Sequence, residues 1–211
     1  MKKLLLLSIL ASFISIQCNA QNDPDYRKQL MFGLKAGVNS SNVYDSRGEA
    51  FVASSKTGFV GGAFLSIPIG QFLGIQPEVL YSQKGFQATG SFLGSPYNLT
   101  RTTSYIDVPL LITVKPANFM TLLAGPQFSY LLNQKDVLTN SSTSTQQQQE
   151  FKNDNIRKNI LCFLGGIDFN FDHMVFGARA GWDLSNNNGD GTSTTPRYKN
   201  VWLQGTIGVR F

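Results

Sequence analysis

From about residue 30 to the C-terminus the chain alternates oily residues with small or polar ones at a period of two, which dictates β-strands rather than helices. In the closing stretch VWLQGTIGVRF, Val201, Leu203, Gly205, Ile207, Val209 and Phe211 share one face. Trp202, Gln204, Thr206, Gly208 and Arg210 share the other. The same alternation predicts eight strands, near 30–41, 57–68, 72–84, 102–115, 119–132, 157–171, 173–185 and 199–211.

The connections alternate in length. Short ones fall at 69–71, 116–118 and 172; long polar ones cover 42–56, 85–101, 133–156 and 186–198. Short turns at one end and long loops at the other describe an all-β, up-and-down antiparallel sheet. Eight such strands close into a barrel, which abolishes the exposed edges.

The two faces settle which solvent lies outside. The polar face is rich in glycine and carries isolated charges: Lys35, Glu78, Asp107, Asp168, Arg179, Asp183 and Arg210. A water-facing sheet would carry many more charged side chains. A narrow lumen has room for small residues and a few paired ions. The oily face therefore points to lipid, and those seven residues form a charge network in the lumen, structural or gating. Aromatic residues sort by height. Phe32, Phe72, Phe119, Phe171 and Phe211 fall at the short-turn end, and Phe59, Tyr81, Tyr130 and Trp182 near the long loops, as two interfacial girdles would. Pro77, Pro109 and Pro126 each remove a ladder donor, so a bulge or local break is expected at each.

The first residues, MKKLLLLSILASFISIQCNA, read as a secretory signal peptide over 1–20, with the barrel domain over 21–211. The formal charge of +5 falls to +3 without Lys2 and Lys3, too mild to imply nucleic acid. After the signal only Cys162 remains, so no internal disulfide framework exists.

The stretches GLKAGVNSS, SYIDVPLLITVK and LLAGPQFSYLL together resemble the PorT-like outer-membrane β-barrel family of Bacteroidota, most specifically from Tyr105 to Leu110. The resemblance spans essentially the whole mature chain. It implies residence in the outer membrane, and the terminal Phe211 also resembles the C-terminal aromatic that the outer-membrane assembly machinery recognises as an assembly signal. It implies little about activity.

Chemistry has few carriers here. The single histidine, His173, lies in a tight turn away from the long loops, with no nucleophile and base arranged around it. DLSNNNGDGTS places Asn186, Asn188, Gly189 and Asp190 faintly like a calcium loop, but no glutamate closes it. The reading is a chain with no catalytic, metal or cofactor-binding residue. It is expected to be a monomer in outer-membrane lipid, exported by its signal peptide, with a structural, adhesive or partner-binding role through its long loops. Two alternatives remain open from sequence: a narrow small-solute or ion channel, and an exported soluble ligand-binding barrel.

Overall fold

The computed structural model describes residues 25–44, 52–92, 95–140, 143–149, 156–189 and 197–211; the expected signal peptide lies outside them. After a single 3-10 turn at Tyr26–Lys28 come β1 (Met31–Tyr44), β2 (Val52–Pro68), β3 (Leu73–Phe92), β4 (Ser95–Ala117) and β5 (Met120–Asn140). They are followed by β6 (Thr143–Gln149), β7 (Asn159–Phe171), β8 (Met174–Asp183) and β9 (Lys199–Arg210).

Neighbouring strands pair antiparallel, and β1 pairs with β9 over Gly33↔Arg210 to Tyr44↔Lys199, so the sheet closes on itself. β6 adds no staff to the barrel. It pairs with the upper part of β5, while β7 pairs with the lower part of the same edge. The barrel proper is thus eight-stranded, as the alternation predicts. The last residue reinforces closure: Phe211 N–H donates to the Phe32 carbonyl at 2.7 Å, and Phe32 N–H donates back at 3.1 Å.

The faces orient as the lipid reading requires. Glu78, Asp107 and Arg179 are 2%, 2% and 4% exposed, whereas Leu110, Ile112, Leu203 and Ile207 are more than half exposed. All nine girdle aromatics lie on the outer wall. An apolar outer wall with enclosed charges excludes the soluble ligand-binding barrel, whose oily side chains would be inside. The lumen is not uniformly ionic, however. Tyr105, Leu111, Leu123, Leu131, Ile160, Cys162, Leu164 and Trp202 form one buried apolar cluster on its β4–β5–β7–β9 side.

Several strands run further than the alternation predicts. Residues 85–101, expected as a loop, complete a β3–β4 hairpin paired up to Phe92↔Ser95. The expected loop 133–156 contains the end of β5 and all of β6, and part of 42–56 belongs to β2. The reason is physical. Beyond the upper girdle the outer face meets water instead of lipid, so polar Ser, Thr and Gln can occupy it and the hydropathy alternation fades while the ladder continues, although the inner face still encloses Phe86, Ala88 and Leu99. Tyr81 and Tyr130 flank Ile106 at the girdle. From there β4 runs eleven further residues to Ser95, which at the usual strand tilt raises it by roughly 28 Å.

Ile112 stands on the lipid face of β4, 63% exposed. Ile112→Arg is expected to lower the free energy of folding into phospholipid vesicles by about 2–4 kcal/mol in urea titrations. A change below about 0.5 kcal/mol is what a water-facing position would give.

Candidate functional site

The inward side chains form tiers stacked along the lumen. The central tier joins four strands. Lys35 on β1 bonds Glu78 on β3. Arg179 on β8 holds both Glu78 oxygens, at 3.0 and 2.8 Å, and both Asp168 oxygens on β7, at 3.3 and 2.9 Å. Gln76 donates to Glu78 at 2.8 Å. Two cations thus meet two anions with zero net charge, and the planar guanidinium forks to two carboxylates as its geometry allows. Arg179 and Glu78 span the lumen as a strut.

Above it, the Lys84 ammonium lies 3.1 Å from Asp107. It also sits 3.7 Å from the Trp202 ring centre and 4.9 Å from that of Tyr105. Beside it Asp183 accepts from the Asn200 backbone at 2.9 Å and from the Cys162 thiol at 3.2 Å. Cys162 is fully enclosed and serves as a packing residue. Higher still, beyond the girdle, Arg101 on β4 makes a two-point pair with Asp136 on β5, at 2.9 and 2.8 Å. Phe86 and Tyr198 pack there with Ala88 and Leu99 in a second apolar cluster.

The lower mouth is crossed by the chain entering β1. Tyr26 donates to Asp172 at 3.1 Å and its ring lies 5.8 Å from that of His173. The Lys115 ammonium reaches Ser66 at 3.1 Å and the Arg27 carbonyl at 3.5 Å. Arg27 in turn holds the Asp25 carboxyl low, at about 2.

Of the seven charges read from sequence, Lys35, Glu78, Asp168 and Arg179 meet in one network, and Asp107 and Asp183 stand in the tier above. Arg210 does not join them. As the last residue of β9 it lies at the mouth, its Nε donating to the Asp172 carbonyl at 2.9 Å and its guanidinium 5.2 Å from the Tyr26 ring centre. Lys84, Arg101 and Lys115 escaped the sequence reading, although strand parity assigns them inward. Continuing Glu78, Leu80, Ser82 gives Lys84. Continuing Tyr105 to Thr113 in both directions gives Arg101 and Lys115.

His173 is exposed in the β7–β8 turn, with Nδ1 2.9 Å from the Arg210 carbonyl and Nε2 3.7 Å from the Asp172 carboxylate. Among the described residues, no three His, Cys, Asp or Glu side chains converge on a metal position; Asp190 of the calcium-like stretch lies outside them.

A closed barrel with an oily belt between two aromatic rings, and ions only within, is an integral β-barrel of the outer membrane. Residues 19–188 match the model of the outer membrane protein beta-barrel domain, and the chain belongs to that family. Among solved structures it is similar to Ail of Yersinia pestis, there in complex with the heparin analogue sucrose octasulfate. Identity is 13%, with 86% of this chain and 99% of that one covered, at a TM-score of 0.48. It is also similar to Neisserial surface protein A (13%, 85% and 97%, TM-score 0.46) and to OprG from Pseudomonas aeruginosa (12%, 87% and 97%, TM-score 0.45). These superpositions are too loose to transfer a ligand or an activity. No curated protein matches the sequence.

Removing one member of the strut leaves an uncompensated buried charge. Arg179→Met is therefore expected to cost about 3–5 kcal/mol of folding free energy. In a double-mutant cycle, Glu78→Gln and Arg179→Met should couple by more than 1 kcal/mol; additivity within about 0.5 kcal/mol would mean the two do not interact.

Proposed function

We propose that this outer-membrane barrel is non-enzymatic and does not conduct, and that its work is done by the surface it raises outside the membrane. Two features support this reading. Side chains fill the lumen, as ionic tiers and as the apolar cluster that includes Trp202. Eight strands leave an interior just wide enough for such a filling. The single observation that carries the reading is the asymmetry of the wall. β3, β4 and β5 span 20, 23 and 21 residues, whereas β8 and β9 span 10 and 12. Crossing the bilayer takes only about 9–11 residues. The excess on β3–β5, with β6 added to it, makes a standing sheet that suits a partner-binding or adhesive platform.

The same reading keeps the barrel monomeric, and makes Phe211 an assembly signal as well as a closing residue. Membership of the PorT-like branch belongs with it, supported by the Tyr105–Leu110 stretch. A role in protein secretion is not part of it.

In planar bilayers the purified chain is expected to give no conductance steps above the lipid baseline, and Arg179→Ala to introduce some by opening the strut. Steps in the unaltered chain that disappear on Arg179→Ala would favour the narrow channel instead. For the platform, an epitope inserted between Asn140 and Thr143 should be labelled on intact cells; labelling only after permeabilisation would reverse the orientation.

A further inference from the structure

On the low side of the wall, the segments entering β7 and β9 are held side by side by one residue. Asn187, buried just past the end of β8, accepts from the Arg157 N–H through its carbonyl at 2.9 Å and donates its own N–H to the Tyr198 carbonyl at 3.0 Å. Its Oδ1 accepts from the Tyr198 N–H at 3.0 Å. The Arg157 guanidinium donates to Asn188 Oδ1 at 3.2 Å. Both segments are thus backbone neighbours of Asn187, which sets them roughly 10 Å apart, or two strand spacings. One carries Arg157 and Lys158, the other Arg197 and Lys199; the first three are exposed and Lys199 is partly so.

This cationic patch stands on the first rungs above the upper girdle. Tyr130 pairs with Asn159, and the next residue, Leu131, donates its N–H to the Lys158 carbonyl at 2.8 Å. Trp182 pairs with Val201, two residues below Lys199. Beneath the patch, Leu161 and Leu203 belong to the exposed oily belt. β8 ends at Asp183 and β9 begins at Lys199, so neither strand rises beyond the patch, in contrast to β3–β5.

Charge balance separates this rim from the other. Among the described residues no carboxylate lies within ion-pair distance of Arg157 or Lys158: Asp183 points into the lumen, and Asp136 is held by Arg101. At the lower mouth, by contrast, Arg27 is paired with Asp25 at 2.7 Å. Across the long-loop end as a whole, residues 45–56, 85–101, 133–158 and 185–199 carry nine Lys and Arg against six Asp and Glu, so a net positive charge remains there.

The geometry points to the Arg157–Lys158 and Arg197–Lys199 patch as a binding site for the phosphate groups of an outer-leaflet glycolipid, with its acyl chains lying along Leu161 and Leu203. The site rests on the orientation proposed above, which turns the long-loop end to the outer leaflet. Cations directly above an oily wall fit an anionic amphiphile, because one molecule then satisfies both. The guanidinium fork and the ammonium point charge both suit phosphate oxygens. The low rim leaves a sugar headgroup level with β8 and β9 instead of against a standing strand.

In dodecyl maltoside micelles, native mass spectrometry of the purified chain with diphosphorylated lipid A is expected to show one bound glycolipid. Its apparent Kd should be at least tenfold lower than that of the same glycolipid stripped of its phosphates. Arg157→Gln with Lys158→Gln should raise that Kd at least fivefold, while Arg27→Gln with Lys28→Gln at the lower mouth should leave it within twofold. If the outer double variant fails to fold, Lys158→Glu at an exposed position takes its place, with the same fivefold loss expected. Equal affinity for the stripped glycolipid, an unchanged Kd in the outer-rim variants, or an equal loss at the lower mouth would each overturn the site. Equal affinity for phosphatidylglycerol, or displacement of the glycolipid by soluble polyphosphate at equal phosphate concentration, would overturn the glycolipid as its occupant. Micelles have no sidedness, so failure there counts against the patch and not against the orientation, which the epitope after Asn140 tests separately.

Discussion

Every feature of this molecule depends on the backbone satisfying itself where water is not available. In a bilayer an unpaired N–H or C=O has no solvent to turn to, so a sheet must have no edge. Closure between β1 and β9 meets that demand, and Phe32 and Phe211 finish the seam at its lower end. Once closed, the alternation of side chains has only one viable assignment. Oily residues cover the outside because lipid is there, and the few ions turn inward because only there can they find one another. The tiers Lys35–Glu78–Arg179–Asp168 and Lys84–Asp107 are a consequence of closure rather than its cause.

The lumen holds two kinds of filling, and they meet where the Lys84 ammonium lies 3.7 Å from the Trp202 ring centre. β1, β3, β7 and β8 are tied by ions, while β4, β5, β7 and β9 meet through Leu111, Leu123, Leu164 and Trp202. The wall that stands tallest outside the membrane, β3 to β5, is also the one whose ladders are broken by Pro77, Pro109 and Pro126. Its stability comes from transverse contacts, Glu78 to Arg179 above all, as much as from lateral ones.

Where one face meets lipid, the sequence was easy to read. The faces of β1, β7, β8 and β9 follow from parity alone, because each outward residue is under the same demand for oil. That parity also reached Asp107 and Arg179 without any contact information. It failed where the demand stops. Above Tyr81 and Tyr130 the outer face meets water instead of lipid, so it no longer has to be oily, and Gly85 to Phe92 and Asn133 to Asn140 read as loop although they pair as strand. Ending β4 and β5 too early also hid Arg101 and its partner Asp136, while Lys84, at the end of the expected 72–84 strand, is inward by parity. Arg210 misled for the opposite reason: parity fixes the side a residue faces, not its height, and the mouth is a different environment from the mid-lumen. The adjacency of Pro77, Pro109 and Pro126 requires register as well, since only pairing shows that three prolines far apart in sequence stand at neighbouring heights on neighbouring strands.

The central claim is the sense of the wall. A nitroxide placed singly at each position from Tyr105 to Lys115, in a Cys162→Ser chain embedded in vesicles, reports collisions with oxygen, which concentrates in lipid. Collision rates peaking at Ile106, Val108, Leu110, Ile112 and Val114 and dipping at Tyr105, Asp107, Leu111 and Thr113 are the expected result. The opposite phase, or no alternation at all, would contradict the account.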